Sequence, residues 1–239
     1  MVYVISDIHG EYDLFMQLLR KISFSTADTL YVLGDVLDRG PRPFAVLKWM
    51  MAQDNVIPIT GNHELMALPC LELFQQEITD ELIDRLTVKD IENLDLWMNN
   101  GAETSINEFK ALSIEDRRAV TDYLGEFSTY DEVDVRGRHY VLVHGGFPQF
   151  HPFDLEKPFS EYSLHDLVWT RPNFERPYSW DWVTIVGHTP TQLIPQNDEP
   201  GWIYRKNNII DIDCGVHTVG GRLAAFCLET EEAVYVRNV

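Results

Sequence analysis

Asp7, His9, Asp35, Asn62, His144 and His188 each stand at or just beyond the end of a short, largely aliphatic run, and together they offer three oxygen donors and three imidazoles. Mixed carboxylate, amide and imidazole donors suit divalent ions such as Mn, Fe or Zn rather than Ca, which takes oxygen alone. Six side chains hold two ions when one of them is shared. A carboxylate can bridge, and Asp35 falls between the Asp7/His9 pair and the Asn62/His144/His188 group, so it is the expected bridge. Two ions held in this way leave positions open for water and a phosphate oxygen. One Asp after a strand is ordinarily a turn or capping residue, and one His ordinarily a core residue. Their coincidence at five separate segment ends is what points to a common site.

Those side chains need a scaffold. Val2–Ser6, Leu30–Leu33 and Val56–Thr60 read as short strands, and Tyr12–Ile22 and Phe44–Gln53 between them as helices, the first with Leu14, Phe15, Leu18, Leu19 and Ile22 at helical spacing. Two βαβ units follow, hence a parallel core buried on both faces, with all five ligand-bearing strand ends delivered to one edge. Residues 65–130 lack a convincing strand and keep helical spacing among many acids, as at Leu82, Ile83 and Leu86. We expect a helical insertion there that folds on itself and borders the site. Strands resume at Tyr140–Val143, Val183–Val186, Ile209–Ile212, Ala224–Leu228 and Ala233–Val236, with a more antiparallel character. The Trp-, Arg- and Pro-rich run from Trp169 to Trp182 reads as a surface or pocket loop.

Composition narrows the classes. The 239 residues fit one α/β (α+β) domain, 1–239, carrying the insertion. A formal charge of −19 excludes a protein that tracks nucleic acid through counterion release, although a local site of metals and arginines can still hold an anion. No apolar run approaches a membrane span, and the start MVYVISDIHG reads as the first strand rather than a leader, so a cytoplasmic location is the default expectation. Cys70, Cys214 and Cys227 are too few and too scattered for a disulfide framework or a thiolate metal knot, and read as reduced.

The segments SDIHG (6–10), GDVLDRG (34–40), GNHE (61–64), HGG (144–146) and GHT (187–189) resemble, in order, the signature blocks of calcineurin-like metallophosphoesterases, and within them the phosphoprotein phosphatases. Ser6 stands where Gly is usual and Leu37 where Val is common; neither supplies a ligand. The resemblance implies two mixed β-sheets packed face to face as a sandwich flanked by helices. It implies one ion on Asp7, His9 and Asp35 and a second on Asp35, Asn62, His144 and His188, with Mn expected in vitro and Fe or Zn as alternatives. A phosphate between two cations still needs donors for its outer oxygens, and Arg39 offers a forked guanidinium in a loop leading to a helix that begins near Pro43. Arg171, in VWTRP, resembles the family's second phosphate-binding arginine.

On this likeness the chain is expected to be a serine/threonine protein phosphatase in which water activated by the ion pair attacks phosphorus directly. A serine alkoxide is a poor leaving group and needs a proton; His63 is the expected donor, with Asp38 of the DRG block as its partner. The expected partner is a phosphoprotein substrate, with no nucleic acid or membrane, and the chain is expected to be a monomer. His139, His151, His165 and His217 match no block and read as structural or surface residues. A related family, the symmetrical dinucleoside tetraphosphatases, shares most of the metal blocks. It typically has a small residue where Asp38 stands, GNHD for GNHE and HAG for HGG, so these three positions favour the protein phosphatase. A catalytically silent phosphoprotein-binding module would be expected to have lost a ligand, the acid or an arginine, and none is missing.

Overall fold

Three short strands open the chain in parallel: Val2–Ile5 (β1), Thr29–Leu33 (β2) and Val56–Ile59 (β3), with β2 between the other two. The helices that cross between them, Tyr12–Lys21 (α1) and Pro43–Met51 (α2), bury Phe15, Leu18 and Leu19, and Phe44, Val46, Leu47 and Met50. Pro43 opens α2 where its missing N–H is no loss, and Arg20 and Lys21 sit in the last turn of α1, at the negative end of its dipole. The strands alternate strictly in what they touch. Leu30 and Val32 face the helical core, whereas Tyr31 and Leu33 face a second sheet. A one-residue slip would exchange those faces, so the register is fixed by burial.

The computed structural model describes residues 1–76, 79–149 and 158–238. Its remaining strands are Tyr130–Val135 (β4), Arg138–Val143 (β5), Val183–Val186 (β6), Tyr204–Lys206 (β7), Ile209–Asp211 (β8), Arg222–Cys227 (β9) and Ala233–Arg237 (β10). The first sheet runs β10-β9-β1-β2-β3 and the second β4-β5-β6-β8-β7. Both are mixed: β9 and β10 are antiparallel additions to the first, while β5, β6 and β8 form a parallel centre in the second. Val4, Leu33, Ile59, Leu142, Ile185 and Phe226 fill the space between the sheets. This is the expected sandwich.

Two strands escaped the sequence reading. β4 (YDEVDV) shows its acids to solvent and was expected to lie at the end of an acidic helical stretch, and β7 is only three residues long. Both are edge strands of the second sheet. The helical stretch itself begins earlier than residue 65, with Asn62–Phe74 (α3), and continues through Asp80–Arg85 (α4), Val88–Asn99 (α5), Glu103–Ala111 (α6) and Ile114–Gly125 (α7). The stretch folds on itself, with α3 packed on α5 and α7, and α6 and α7 also pack on α2, so Trp97, Phe109, Val120 and Leu124 belong to the same core as α1. Thr79, Thr87 and Ser113 start α4, α5 and α7 by accepting hydrogen bonds from the backbone three residues on. A last helix, Leu164–Trp169 (α8), is capped by Ser163 and buries Leu167 and Val168. The three cysteines are free and buried, and no helix among the described residues is long and apolar enough to cross a membrane.

Candidate metal centre

The parallel strands of both sheets end at one place. β1 is followed by Asp7 and His9, β2 by Asp35, β3 by Asn62 and His63, β5 by His144 and β6 by His188. The expected single sheet edge is therefore a junction: three strands come from the first sheet and two from the second. All seven side chains are at most 8% exposed, which no lone polar group would tolerate without partners. The turns that carry them are tight. Asp7, His9, Asp35, Asp38, Arg39 and His188 lie at positive φ, between 45° and 72°, six of the ten non-glycine residues that do so among the described residues. Glycines permit the close approach: a Cβ on Gly61 would stand 2.3 Å from Asp35 Oδ1, and one on Gly187 2.3 Å from Asp7 Oδ2.

Donor roles show which atoms are left to bind an ion. His9 Nδ1 donates to Leu37 O at 2.9 Å and His144 Nδ1 to Leu33 O at 2.6 Å, so in these neutral rings each Nε2 carries a lone pair. His144 Nε2 lies 3.0 Å from Asn62 Oδ1 and 3.3 Å from Asp35 Oδ1, and His9 Nε2 lies 3.6 Å from Asp35 Oδ2. His188 Nε2 is buried with no hydrogen-bond partner among the described residues. Ligand atoms about 2.1 Å from one ion stand roughly 3.0–3.4 Å from each other, so these separations suit neighbours on shared cations. Burial, and then the neighbouring charges of Asp7 and Glu64, push the Asp35 carboxyl well up. Burial, with the neighbouring His63, drives His9 well down, and burial, with His144 and Arg171, drives His188 down to about 2. Neutral imidazoles and crowded carboxylates are the donor set that a divalent ion completes.

Among the described residues two triads fall within reach of one ion each: His9, Asp35 and His63, and Asp35, His144 and His188. Asp35 is common to both, as a bridge must be. Asp7 is outside these triads and accepts hydrogen bonds from His188 N at 3.0 and 3.3 Å, yet its charge is felt by Asp35 and His144. Between the imidazoles lies Arg39, whose guanidinium donates to His9 Nε2 at 2.6 Å and His63 Nε2 at 3.0 Å. Two forked donors thus converge where an anion would meet the cluster.

His63 is held from its other side. Its Nδ1 donates to Asp38 Oδ2 at 2.6 Å, and the same carboxylate accepts from Trp97 Nε1 at 2.8 Å and Ser105 Oγ at 2.6 Å. Trp97 comes from α5 and Ser105 from α6, so helices beyond α3 supply two of the three side-chain donors that fix Asp38. Burial lowers the proton affinity of His63, and the hydrogen bond and charge of Asp38 oppose that. Glu64 is a second hidden organiser: its carboxylate accepts from the backbone N–H groups of Asp35, Val36, Leu37 and Gly61 at 2.7 to 3.2 Å. It thereby ties the β2 turn to the start of α3.

Sequence reasoning did not assign roles to Trp97, Ser105 and Glu64. Only Glu64 left a local signal, three residues after Gly61 in a capping-box position. His217, read as structural or surface, lies beside the cluster, its ring 5.5 Å from His9 and its Nε2 3.1 Å from His9 O. His139 sits between Glu132 and Asp134 on the second sheet, and His165 is exposed on α8. His151 lies outside the described residues. Arg171 is exposed, without a hydrogen-bond or ion-pair partner among the described residues, and near enough for His188 to feel its charge. The loop from Trp169 to Trp182 is less superficial than expected, since Phe174 and Tyr178 are buried against Phe147 and β6.

Comparison with known proteins gives this geometry a context. The profile of the calcineurin-like phosphoesterase family matches residues 1–219. A curated relative from Chromobacterium violaceum, a symmetrical bis(5'-nucleosyl)-tetraphosphatase, is 42% identical over 85 residues, 35% of this chain and 31% of that protein. The chain spans between 31% and 40% of the length of the first curated relatives it matches. A solved structure provisionally assigned as a diadenosine tetraphosphatase superposes with a TM-score of 0.64 at 18% identity, covering 100% of this chain and 93% of that one. A protein serine/threonine phosphatase from Saccharomyces cerevisiae gives a TM-score of 0.56 at 13% identity, covering 100% and 80%. These structural likenesses bear on the fold alone.

Proposed function

The chain belongs to the calcineurin-like phosphoesterase family, and from that premise we propose that it hydrolyses symmetrical dinucleoside tetraphosphates at a centre of two divalent cations. The substrate rests on one observation: curated relatives that the chain resembles over about a third to nearly a half of its length are named for that activity. Sequence analysis favoured a protein phosphatase from Asp38, Glu64 and Gly145. Two of those positions speak to packing rather than to substrate. Glu64 caps backbone N–H groups, and a Cβ on Gly145 would stand 2.9 Å from Leu167 O, so each reports how its loop is built.

In this reading Asp7, His9 and Asp35 would hold one cation, and Asp35, Asn62, His144 and His188 the other. When bound, the cations neutralise phosphate charge and make water acidic enough to act as a nucleophile near neutral pH. Arg39 turns its fork from the imidazoles to the outer phosphate oxygens. Water oxygen joins one of the two central phosphorus atoms, the bridging oxygen departs with the other, and two nucleoside diphosphates result. His63, positioned by Asp38, gives a proton from Nε2 to the departing oxygen where that oxygen needs one.

The His63–Asp38 pair favours a second reading, the protein phosphatase. A diphosphate leaves readily, whereas a serine or threonine alkoxide does not, and so well-anchored a proton donor suits the harder case. Turnover of diadenosine tetraphosphate beside phosphoserine, phosphothreonine and phosphotyrosine peptides, each with Mn, Fe, Zn and Mg, decides between them. A kcat/KM for the dinucleotide at least tenfold above every peptide supports the proposal; the reverse order replaces it with the second reading.

A further inference from the structure

Beside the metal centre lies a cavity of ≈ 360 Å³ whose lining, Arg171 apart, has no part in the hydrolytic reading above. Its size falls at the lower end of small-molecule sites. His165 and Trp169 on α8 form one side, their rings nearly parallel at 30° with centroids 6.2 Å apart, and Arg171 stands at its rim. Trp169 also packs against His188, ring centroids 5.7 Å apart and nearly perpendicular, so the cavity begins where the cluster of candidate ligands ends. The spacing is rigid, because Leu167 O accepts hydrogen bonds from Gly145 N at 2.8 Å and Gly146 N at 3.3 Å, the residues directly after His144.

An aromatic pair in an otherwise largely polar lining that includes Asp166, a free guanidinium and an adjoining phosphate site describe a receptor for a planar ring joined to a phosphate chain. We propose that this cavity binds the nucleobase of one half of the substrate, stacked on Trp169 and bordered by His165, with Arg171 contacting the phosphates between base and metal centre. The inference rests on the dinucleotide reading and deepens it: each half of a symmetrically cleaved tetraphosphate is a nucleoside diphosphate, whose two ends these two sites match. The exposed position of Arg171 leaves its guanidinium available, and its charge already reaches His188. Stacking on an aromatic face accepts any base, so purine and pyrimidine nucleotides should both bind, the purine more tightly.

Calorimetric titration of the Mn-loaded chain with α,β-methylene-ADP and with methylenediphosphonate separates the base from the phosphates without turnover. The nucleotide should bind more tightly, and Trp169→Ala should reduce the ratio of the two affinities by roughly tenfold. His165→Ala, at an exposed position that folding tolerates, should reduce it by about threefold, and Trp169→Phe should restore most of the loss. An unchanged ratio in both alanine variants overturns the proposal, as does an equal loss for both ligands. So does a selective loss for phosphotyrosine with the nucleotide ratio intact, which would make the cavity a phenol site. If the chain fails to hydrolyse diadenosine tetraphosphate while the ratio falls as expected, the proposed activity falls and the nucleobase site stands.

Discussion

Replacing Asp38 by Asn should remove a charge while keeping a shape. The carboxylate accepts from His63 and Trp97 on one oxygen and from Ser105 on the other, at 2.6 to 2.8 Å. An Asn carbonyl can take over the first two bonds, and its amide then meets a hydroxyl that can turn and accept. The imidazole keeps its place but loses the anion that favours its protonated form. A contacting carboxylate shifts a partner's pKa by roughly one to three units, so the proton-bearing fraction near neutral pH should fall about tenfold or more. A serine alkoxide cannot leave without that proton, whereas nitrophenolate or a nucleoside diphosphate can. Turnover of a phosphoserine peptide should therefore drop roughly 10- to 100-fold, and that of p-nitrophenyl phosphate or diadenosine tetraphosphate by less than about threefold. His63→Ala should keep this ranking and widen it. The assay is kcat on Mn-loaded protein with bound metal quantified in every sample, since loss of a cation would slow all substrates alike. Equal losses on all three substrates at full metal content would refute His63 as the proton donor.

Other outcomes follow from the same contacts. Asp35 lies in both candidate triads, so Asp35→Asn should lose more bound metal than Asn62→Ala by elemental analysis of Mn-reconstituted protein; equal two-ion occupancy in both would remove the bridge. Ser105→Ala leaves Asp38 Oδ1 and Asp38 N without their partner, and urea unfolding should show about 1–3 kcal/mol of lost stability, with a weaker form of the Asp38→Asn substrate bias. Phe226→Ala, between the sheets, should cost about 3–5 kcal/mol in the same measurement. Burial lowers the proton affinity of His139, but hydrogen bonds to Asp134 and Glu132 outweigh it and raise the pKa. The stabilisation it gives is full below the unfolded value and disappears as pH rises through the raised one. The Tm gap between wild type and His139→Gln should thus be widest near about pH 5.5 and absent by about pH 8.5, worth at most about 1 kcal/mol.

The half of the fold that the sequence announces is the half whose strands are buried on both faces. β1, β2 and β3 are short, mostly apolar runs whose alternate residues face different cores, and α1 shows its buried stripe openly. β4 stayed hidden because half-exposed Asp and Glu residues in an edge strand look like those of a polar helix, and β7 because three residues hold no period. The candidate ligands were legible one by one, as chemically apt residues at strand ends. Their meeting across two sheets was not, since nothing local in Val143 or Val186 says which sheet it joins. Trp97 and Ser105 were beyond reach for a plainer reason. They stand 59 and 67 residues from Asp38, on helices whose sequences ask only for burial.

The turns of the metal centre carry a further consequence. Asp7, His9, Asp35, Asp38, Arg39 and His188 adopt a backbone conformation that disfavours every L-residue with a side chain and suits glycine. Each position holds of the order of 1 kcal/mol of strain. A laboratory selection for heat resistance alone would be drawn to these six sites, where Gly or Asn relaxes the chain, and would dismantle the centre as it succeeded. Rigidity and chemistry compete here for the same few peptide units, and variants that keep the centre should reach greater thermal tolerance only through changes made elsewhere, in the cores and helix caps.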